Sequence, residues 1–406
     1  MIKALALVVD EHKIIRPLEN IKDIEIEYVI ASDDFEFSVP YPDIILTVSD
    51  WRACIAKILL KAKEIKIPSI MFQDGSLDWI IQNEGDLYGG SGGATHFHPI
   101  LTDKMAVMGF QSQRIISSWD KTNYKKTEVV GAPILQNQID FCKNLRNQKN
   151  INRKKHKTTK NILITSTRQG WFSENQKYAV IHALKDLKRF FENIEDVNIT
   201  WRLSRNLSKI IGVENQMKDK LSYELIPLIQ ESDYVISSQS TVVFEAMIHG
   251  KPVVIFDYLN VPRYYNTAWF INSKSQIAKV IESLFANEPS RLIFQEYTLN
   301  DVLLMNKNSI KMSEKLIKKM IDFRLKNDSI DFPENMLSIS QHVGFIDHGY
   351  NEEDVFPAVS KNYEINKKDL IRLITRYSHE NKLLRKKLKD KSFLEYLAKL
   401  KNKFFN

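Results

Sequence analysis

Residues 225–258 read LIPLIQESDYVISSQSTVVFEAMIHGKPVVIFDY, and the order of residue types in them dictates a local structure. Tyr234-Val235-Ile236-Ser237 is a short β-branched run, bounded by Asp233 in front and by Ser238-Gln239-Ser240-Thr241 behind, which predicts a buried strand. A helical segment follows over 241–249, and Gly250-Lys251-Pro252 stops it before a second, wholly apolar strand at 253–256. Small hydroxyl residues at a helix N-terminus bring free amide N–H groups, side-chain donors and the positive end of the helix dipole to one point. That arrangement suits a phosphate or diphosphate. Glu245 stands one turn after Thr241, within reach of a ribose hydroxyl beside a phosphate held there. The plainer alternative makes Ser240 an N-cap and Glu245 a surface residue of the helix.

Outward from this stretch the same alternation recurs. Before it, 161–166 and 198–203 read as strands and 176–191 as a helix. In the first third of the chain 4–9, 24–30, 44–48 and 69–72 read as buried strands, with a helix at 51–65 that Ser49 or Asp50 can cap and Pro68 follows. The apolar N-terminal run stops at Asp10 without a small-residue cleavage site, so it is expected to be a first strand rather than a signal peptide. Strands alternating with helices predict parallel sheets covered on both faces. The expected fold class is α/β, with two Rossmann-like lobes facing a cleft and a C-terminal helical extension. The expected boundaries are 1–142 for the first lobe, 143–160 for a basic linker and 161–326 for the second lobe. A loop-rich segment and a basic amphipathic tail are expected over 327–406.

Length and charge narrow the function classes. A chain of 406 residues is long enough for about two domains, and 43% apolar with 27% charged residues is a globular profile. Two cysteines, Cys54 and Cys142, are too few for a disulfide framework or a cysteine zinc site, which points to a reducing cytoplasm. The net charge of +8 is local: 141–160 carries +8 and 366–406 carries +9, leaving the remainder acidic. A nucleic-acid binder carries its charge on the folded surface, so no nucleic-acid partner is expected. The helical period of the tail (Leu370, Ile374, Tyr377, Leu384, Leu388) leaves three readings open: a homo-oligomer, a basic helix at the inner face of the cell membrane, or packing on the protein's own surface.

The segment SDYVISSQSTVVFEAMIHGKPVVIF resembles the C-terminal nucleotide-binding half of GT-B glycosyltransferases and their relatives. The resemblance covers roughly 40–325 and includes surface-polysaccharide transferases, teichoic-acid-type glycerophosphotransferases and the UDP-GlcNAc 2-epimerase branch. Within that group the chain looks most like transferases that build capsule or lipopolysaccharide. The resemblance implies a nucleotide-sugar donor at Ser238, Gln239, Ser240, Thr241 and Glu245. It also implies a donor-facing loop after 161–166, where Arg168 can pair with a diphosphate through its planar fork. Arg202 falls where relatives often carry Arg-Leu-His-Pro, although Ser204 replaces the His and the Pro is missing. The segments 102–107 and 111–119, followed by Thr127-Glu128-Val129-Val130-Gly131-Ala132-Pro133, also resemble the family, in which a strand ending in Gly-x-Pro closes the first lobe; Gly131 and Pro133 are expected to have structural roles only.

On the acceptor side, 69–72 runs into Gln73-Asp74-Gly75, which sets a carboxylate and a glycine at the mouth of the cleft. Relatives often have Gln-His-Gly here with the His as base. Asp74 takes that position and is the expected base for the acceptor hydroxyl, with Asp78 second. The glycine-rich loop at 89–93 is either an acceptor gate or a plain surface loop, and it lacks the ending of a phosphate loop. His96 is an acceptor contact or an alternative base, and no metal site is expected of His96 and His98. The expectation is a metal-independent, cofactor-free glycosyltransferase acting on a glycan or lipid-linked glycan acceptor. CDP-polyol phosphate transfer and a non-catalytic scaffold of the same fold are the alternatives.

Overall fold

In the computed structural model the described residues are 1–8, 14–50, 52–77, 79, 100–119, 122–148, 159–167, 174–216 and 224–339. The first lobe contains β1 (Ile2–Val8), β2 (Ile24–Ile30), β3 (Ile44–Thr47), α1 (Ala53–Glu64), β4 (Ser69–Phe72) and β5 (Lys104–Val107). It continues with α2 (Phe110–Trp119), α3 (Asn123–Lys126), β6 (Thr127–Val129) and α4 (Gln136–Gln148). The second lobe holds β7 (Lys160–Thr165), α5 (Glu174–Phe191), β8 (Val197–Arg202), α6 (Arg205–Ile211), α7 (Leu225–Glu231) and β9 (Tyr234–Ser237). After these come α8 (Thr241–Ile248), β10 (Val253–Phe256), β11 (Trp269–Ile271), α9 (Ile277–Ala286), α10 (Pro289–Val302) and α11 (Ser309–Asn327).

Both sheets are parallel throughout, in the orders β2-β1-β3-β4-β5-β6 and β11-β10-β9-β7-β8. The β-branched runs explain the strands: β3 and β10 are buried at every position, as expected of strands covered on both faces. In the second sheet the chain leaves β7 toward β8 and then returns to β9 on the other side, so β7 and β9 flank a topological switch point. Ligands of open α/β sheets bind outside the carboxyl ends of the strands at such a point. One face of this sheet packs Leu163, Val235 and Ile255 against α4 and α8; the other packs Ile164, Trp201 and Phe256 against α5 and α9.

The division expected at 326 does not follow the packing. Helix α11 returns to the first lobe, where Leu316, Ile317 and Met320 join Ala4, Leu46 and Phe72 in one core with Phe332, Met336 and Leu337. The return path is close. A Cβ on Gly109 would lie 2.3 Å from the Val302 carbonyl oxygen, and Gly131 has φ +90 with Ser309 Cβ 2.8 Å from where its own Cβ would stand. Only glycine fits these crossings. Helix α4 runs to Gln148, so the first residues of the basic stretch 143–160 are helical, and 149–158 lie outside the described residues. The tail 366–406 and the glycine-rich loop also lie outside them. No helix among the described residues is long and apolar enough to cross a membrane.

A buried ion pair fastens the returning segment. Lys104 Nζ lies 2.9 Å from Glu128 Oε1, and the two side chains are 0% and 2% exposed. The ammonium donates its other hydrogens to the carbonyls of Lys125 and Pro333, both at 2.7 Å, which uses all three donors. Glu128 accepts in turn from the amides of Met336 at 2.7 Å and Leu337 at 3.2 Å. Removing one member leaves the other buried without its counter-charge, with only backbone dipoles to offset it. Lys104→Met is therefore expected to lower unfolding stability in urea by about 3–5 kcal/mol. A loss under about 1 kcal/mol, the range of a surface pair, would contradict this account of the clasp.

Candidate functional site

The hydroxyl-rich turn at 238–241 leaves the carboxyl end of β9 at the switch point. Ser240 is the residue before the first helical position of α8, with extended backbone at φ −169, but its side chain makes no capping hydrogen bond to the helix. Ser240 Oγ instead lies 3.3 Å from Ser237 Oγ. Capping is thus not what the Ser240 side chain does here; the Val243 amide donates to the Ser240 carbonyl at 3.1 Å, which leaves the amides of Thr241 and Val242 to face out of the helix start. Ser238 is buried and its hydroxyl accepts from the Thr167 amide at 3.0 Å, which ties the turn to the loop after β7. Beneath the turn, on the α5 side, lies a pocket lined by Thr167, Gln176, Ser238, Gln239, Tyr258 and Val261.

The opposite side of the turn carries the charged groups. Strand register aligns Arg202 with Thr165 and Thr165 with Ser237, one row at the carboxyl ends of β8, β7 and β9. This row faces α4 and α8, because its neighbours Ile164, Trp201 and Ile236 lie in the core of the other face. Thr165 is fully buried, and its hydroxyl has no partner among the described residues. Glu245, one turn into α8, is half-buried, and Gln138 Nε2 of α4 donates to its Oε2 at 3.1 Å. Burial pushes the Glu245 carboxyl above the usual carboxylate range, opposed by the Gln138 hydrogen bond and by the positive charge of Arg202. Arg202 and Glu245 therefore share one electrostatic environment.

The first lobe meets this turn at Gly75. A Cβ on Gly75 would lie 3.3 Å from Thr241 Cγ2, so the loop after β4 touches the start of α8. Gln73, buried under that loop, holds it in place: Nε2 donates to the Gly75 carbonyl at 2.7 Å, and Oε1 accepts from the Met108 amide at 3.0 Å. Asp74 is exposed, one residue from the Gly75–Thr241 contact. A second bridge comes from the second lobe: the Tyr264 ring packs tilted against Trp79 and edge-on to Trp119, with ring centroids 5.7 and 6.1 Å away, and its carbonyl accepts from Gln111 Nε2.

Of the expected site residues, the structure brings Asp74, Arg202, Ser238, Gln239, Ser240, Thr241 and Glu245 to one region. His96, Arg168 and the secondary candidate Asp78 lie outside the described residues. Sequence reading passed over Gln138, Thr165 and Asp257. Asp257 directly follows β10 and accepts from the amides of Leu259, Asn260 and Val261 at 3.0–3.1 Å, which shapes one wall of the pocket. An acid directly after an apolar strand was a readable signal for Asp257. Nothing in the polar run Gln136-Asn137-Gln138 distinguished Gln138, because its partner stands on a distant helix.

The architecture has known counterparts. It is similar to MnaA of S. aureus in a co-structure with UDP (TM-score 0.52, 14% identity, covering 80% of this chain and 97% of that one). It is similar to a UDP-GlcNAc 2-epimerase of Neisseria meningitidis bound to UDP-GlcNAc (TM-score 0.50, 14% identity, 80% and 100% covered). A third likeness is to the wall teichoic acid polymerase TagF (TM-score 0.50, 13% identity, 80% and 90% covered). The chain has the GT-B fold. At these identities the likeness is one of architecture. No family model matches the sequence, and no curated protein matches it.

The raised Glu245 carboxyl gives the GT-B cleft a measurable pH signature. A carboxyl that is harder to ionise when folded penalises the folded state once pH rises above its ordinary value of about 4, and the penalty grows until pH passes the raised value. Glu245→Gln keeps an acceptor for Gln138 and removes that penalty. The variant is expected to melt higher than the parent at pH 7.5 and equally at pH 4. A variant that melts lower at pH 7.5 would show that the carboxylate is net stabilising and would contradict the assignment.

Proposed function

We propose that this protein is a glycosyltransferase that moves a sugar from a nucleotide-sugar donor to a glycan or lipid-linked glycan acceptor, of the kind used in surface polysaccharide assembly. The observation that carries the reading is the arrangement around α8. An uncapped helix start at 238–241 stands between Arg202 and Glu245 on one side and the Gly75 loop of the opposite lobe on the other. Such a helix start favours an anionic diphosphate, Arg202 adds a fixed positive charge, and Glu245 accepts from a ribose hydroxyl. Arg168, one loop away in sequence, is the second cation of the proposal.

In this mechanism the acceptor hydroxyl attacks the anomeric carbon of the donor sugar. The bond from that carbon to the diphosphate oxygen breaks, and the nucleoside diphosphate leaves with the electron pair. Asp74, exposed at the end of β4 beside the Gly75–Thr241 contact, takes the hydroxyl proton; His96 is the alternative base. A positioned base contributes about 10²–10⁴-fold to such a step. The negative charge that develops on the leaving group is met by the α8 dipole and the arginines, which is electrostatic stabilisation by groups already in place.

The architectural likeness to TagF favours a second reading, transfer of a polyol phosphate from a CDP-linked donor. Relatives of that kind often carry His where this chain has Asp74 and Ser204, and this is why sugar transfer is preferred.

Turnover of a donor panel separates the readings. Release of nucleoside diphosphate from UDP-, GDP- or other sugar nucleotides, undiminished by EDTA, is expected. Arg202→Ala is expected to reduce that turnover by about 10²-fold, the order seen when one stabilising donor is removed from a developing anion. Turnover of CDP-glycerol alone supports polyol transfer. Interconversion of UDP-GlcNAc without an acceptor indicates an epimerase, and nucleotide binding without any turnover a scaffold; either result contradicts the proposal.

A further inference from the structure

The connection from β2 to β3 contains no helix. Strand β1 lies between those two strands, so 31–43 must cross over it. A crossover between parallel strands is usually helical, and a helix laid there would fill the face of β1 and β2. Here a cavity of about 520 Å³ lies between that face and the crossing chain. It shares no lining residue with the pocket beside the α8 turn.

The walls differ in character. Leu5 and Leu7 pack with Ile55 and Ile58 of α1, so the odd positions of β1 face that helix. The strand register sets Glu25 beside Lys3, Glu27 beside Leu5 and Val29 beside Leu7 on the same face. From the crossing chain, Phe35 and Phe37 pack on the α1 core edge-on to each other, with ring centroids 5.1 Å apart, and Pro40 and Pro42 complete the wall. A concave site of this volume, mostly apolar with a few polar groups, has the make-up of a small-molecule site.

The charges do not balance. Of the three lining carboxylates, Glu36 is paired with Lys61 of α1 at 2.6 Å. Glu25 and Glu27 are exposed, and neither makes a hydrogen bond or ion pair among the described residues. The Lys3 ammonium, beside Glu25 in register, offsets one of them. Glu27 is left as a net negative charge, reachable from solvent, between Leu5 and Val29 and beneath the aromatic wall. An anion would be repelled there, and a neutral ligand would strip water from Glu27 without replacing it. A cation supplies the missing counter-charge and gains further from aromatic neighbours.

We propose that this cavity binds an organic cation, an amine or quaternary ammonium with an apolar body, Glu27 taking the charge and Phe35, Phe37 and Val29 covering the carbon skeleton. It is a second site, in the first lobe, and it stands whether or not the α8 turn holds a nucleotide.

The test is calorimetric binding of tryptamine to the full chain at pH 7.5, with tryptophol as the uncharged isostere and indole-3-propionate as the anion. Wild type is expected to bind tryptamine about tenfold more tightly than tryptophol, the order of one hydrogen bond to a charged group, and indole-3-propionate more weakly than either. Glu27→Gln, a change at an exposed position, is expected to bring tryptamine to within about twofold of tryptophol while leaving tryptophol as it was. Phe37→Leu is expected to weaken amine and alcohol alike, by about threefold, through lost apolar contact. Saturating UDP is expected to leave tryptamine affinity unchanged. Equal affinity of wild type for tryptamine and tryptophol, or no binding of either, would overturn the proposal. So would a preference that survives in Glu27→Gln, binding indifferent to Phe37→Leu, or displacement of tryptamine by UDP.

Discussion

The start of α8 is the constraint around which the cleft is built. A helix separated from its strand by three residues must leave its leading amides at the carboxyl edge of the sheet, and here the Ser240 side chain does not turn back to cap them. Ser238 is committed to the Thr167 amide and Ser240 leans toward Ser237, so the hydroxyl groups order the turn instead of closing it. Everything else takes its place from that geometry: Gly75 against Thr241, Glu245 one turn along, and Arg202 in the strand row behind.

Holding an acid so close to the lobe junction has a cost that the structure distributes over several partners. Glu245 loses water on burial and regains part of the loss from the Gln138 amide and the charge of Arg202. Neither partner belongs to α8: one comes from the last helix of the first lobe, the other from an edge strand of the second sheet. The acid is therefore stabilised only while α4 is docked with α8 on the second sheet. The same dependence appears in the backbone, where α11 carries the chain back into the first core past Gly109 and Gly131, and the Lys104–Glu128 pair clasps the segment beyond. Joining the lobes twice, through α4 and through α11, limits how far the two sheets can drift apart.

How much of this was legible in the sequence follows from the range of the forces involved. Strands such as 44–47 and 253–256 announce themselves because burial on both faces demands an unbroken β-branched run. The turn at 238–241 and the helix after it were readable for the same local reason. The destination of α11 was not, because the amphipathic period of a helix states that one face is buried but never which core receives it, and no element had been assigned over 309–327. Gln138 was illegible because its meaning lies in a partner 107 residues away, and Thr165 because one hydroxyl at the end of an apolar strand looks like ordinary β composition. The register of the second sheet reveals Thr165 by setting it between Arg202 and Ser237.

The most direct measurement is a crystal structure of the full chain grown with UDP or CDP. The account requires the diphosphate oxygens within hydrogen-bond distance of the amides at the start of α8 and of Arg202, with the ribose hydroxyls turned toward Glu245. A nucleotide lodged elsewhere in the cleft, or one whose phosphates avoid the 238–241 turn while Glu245 keeps only its protein contacts, would contradict it.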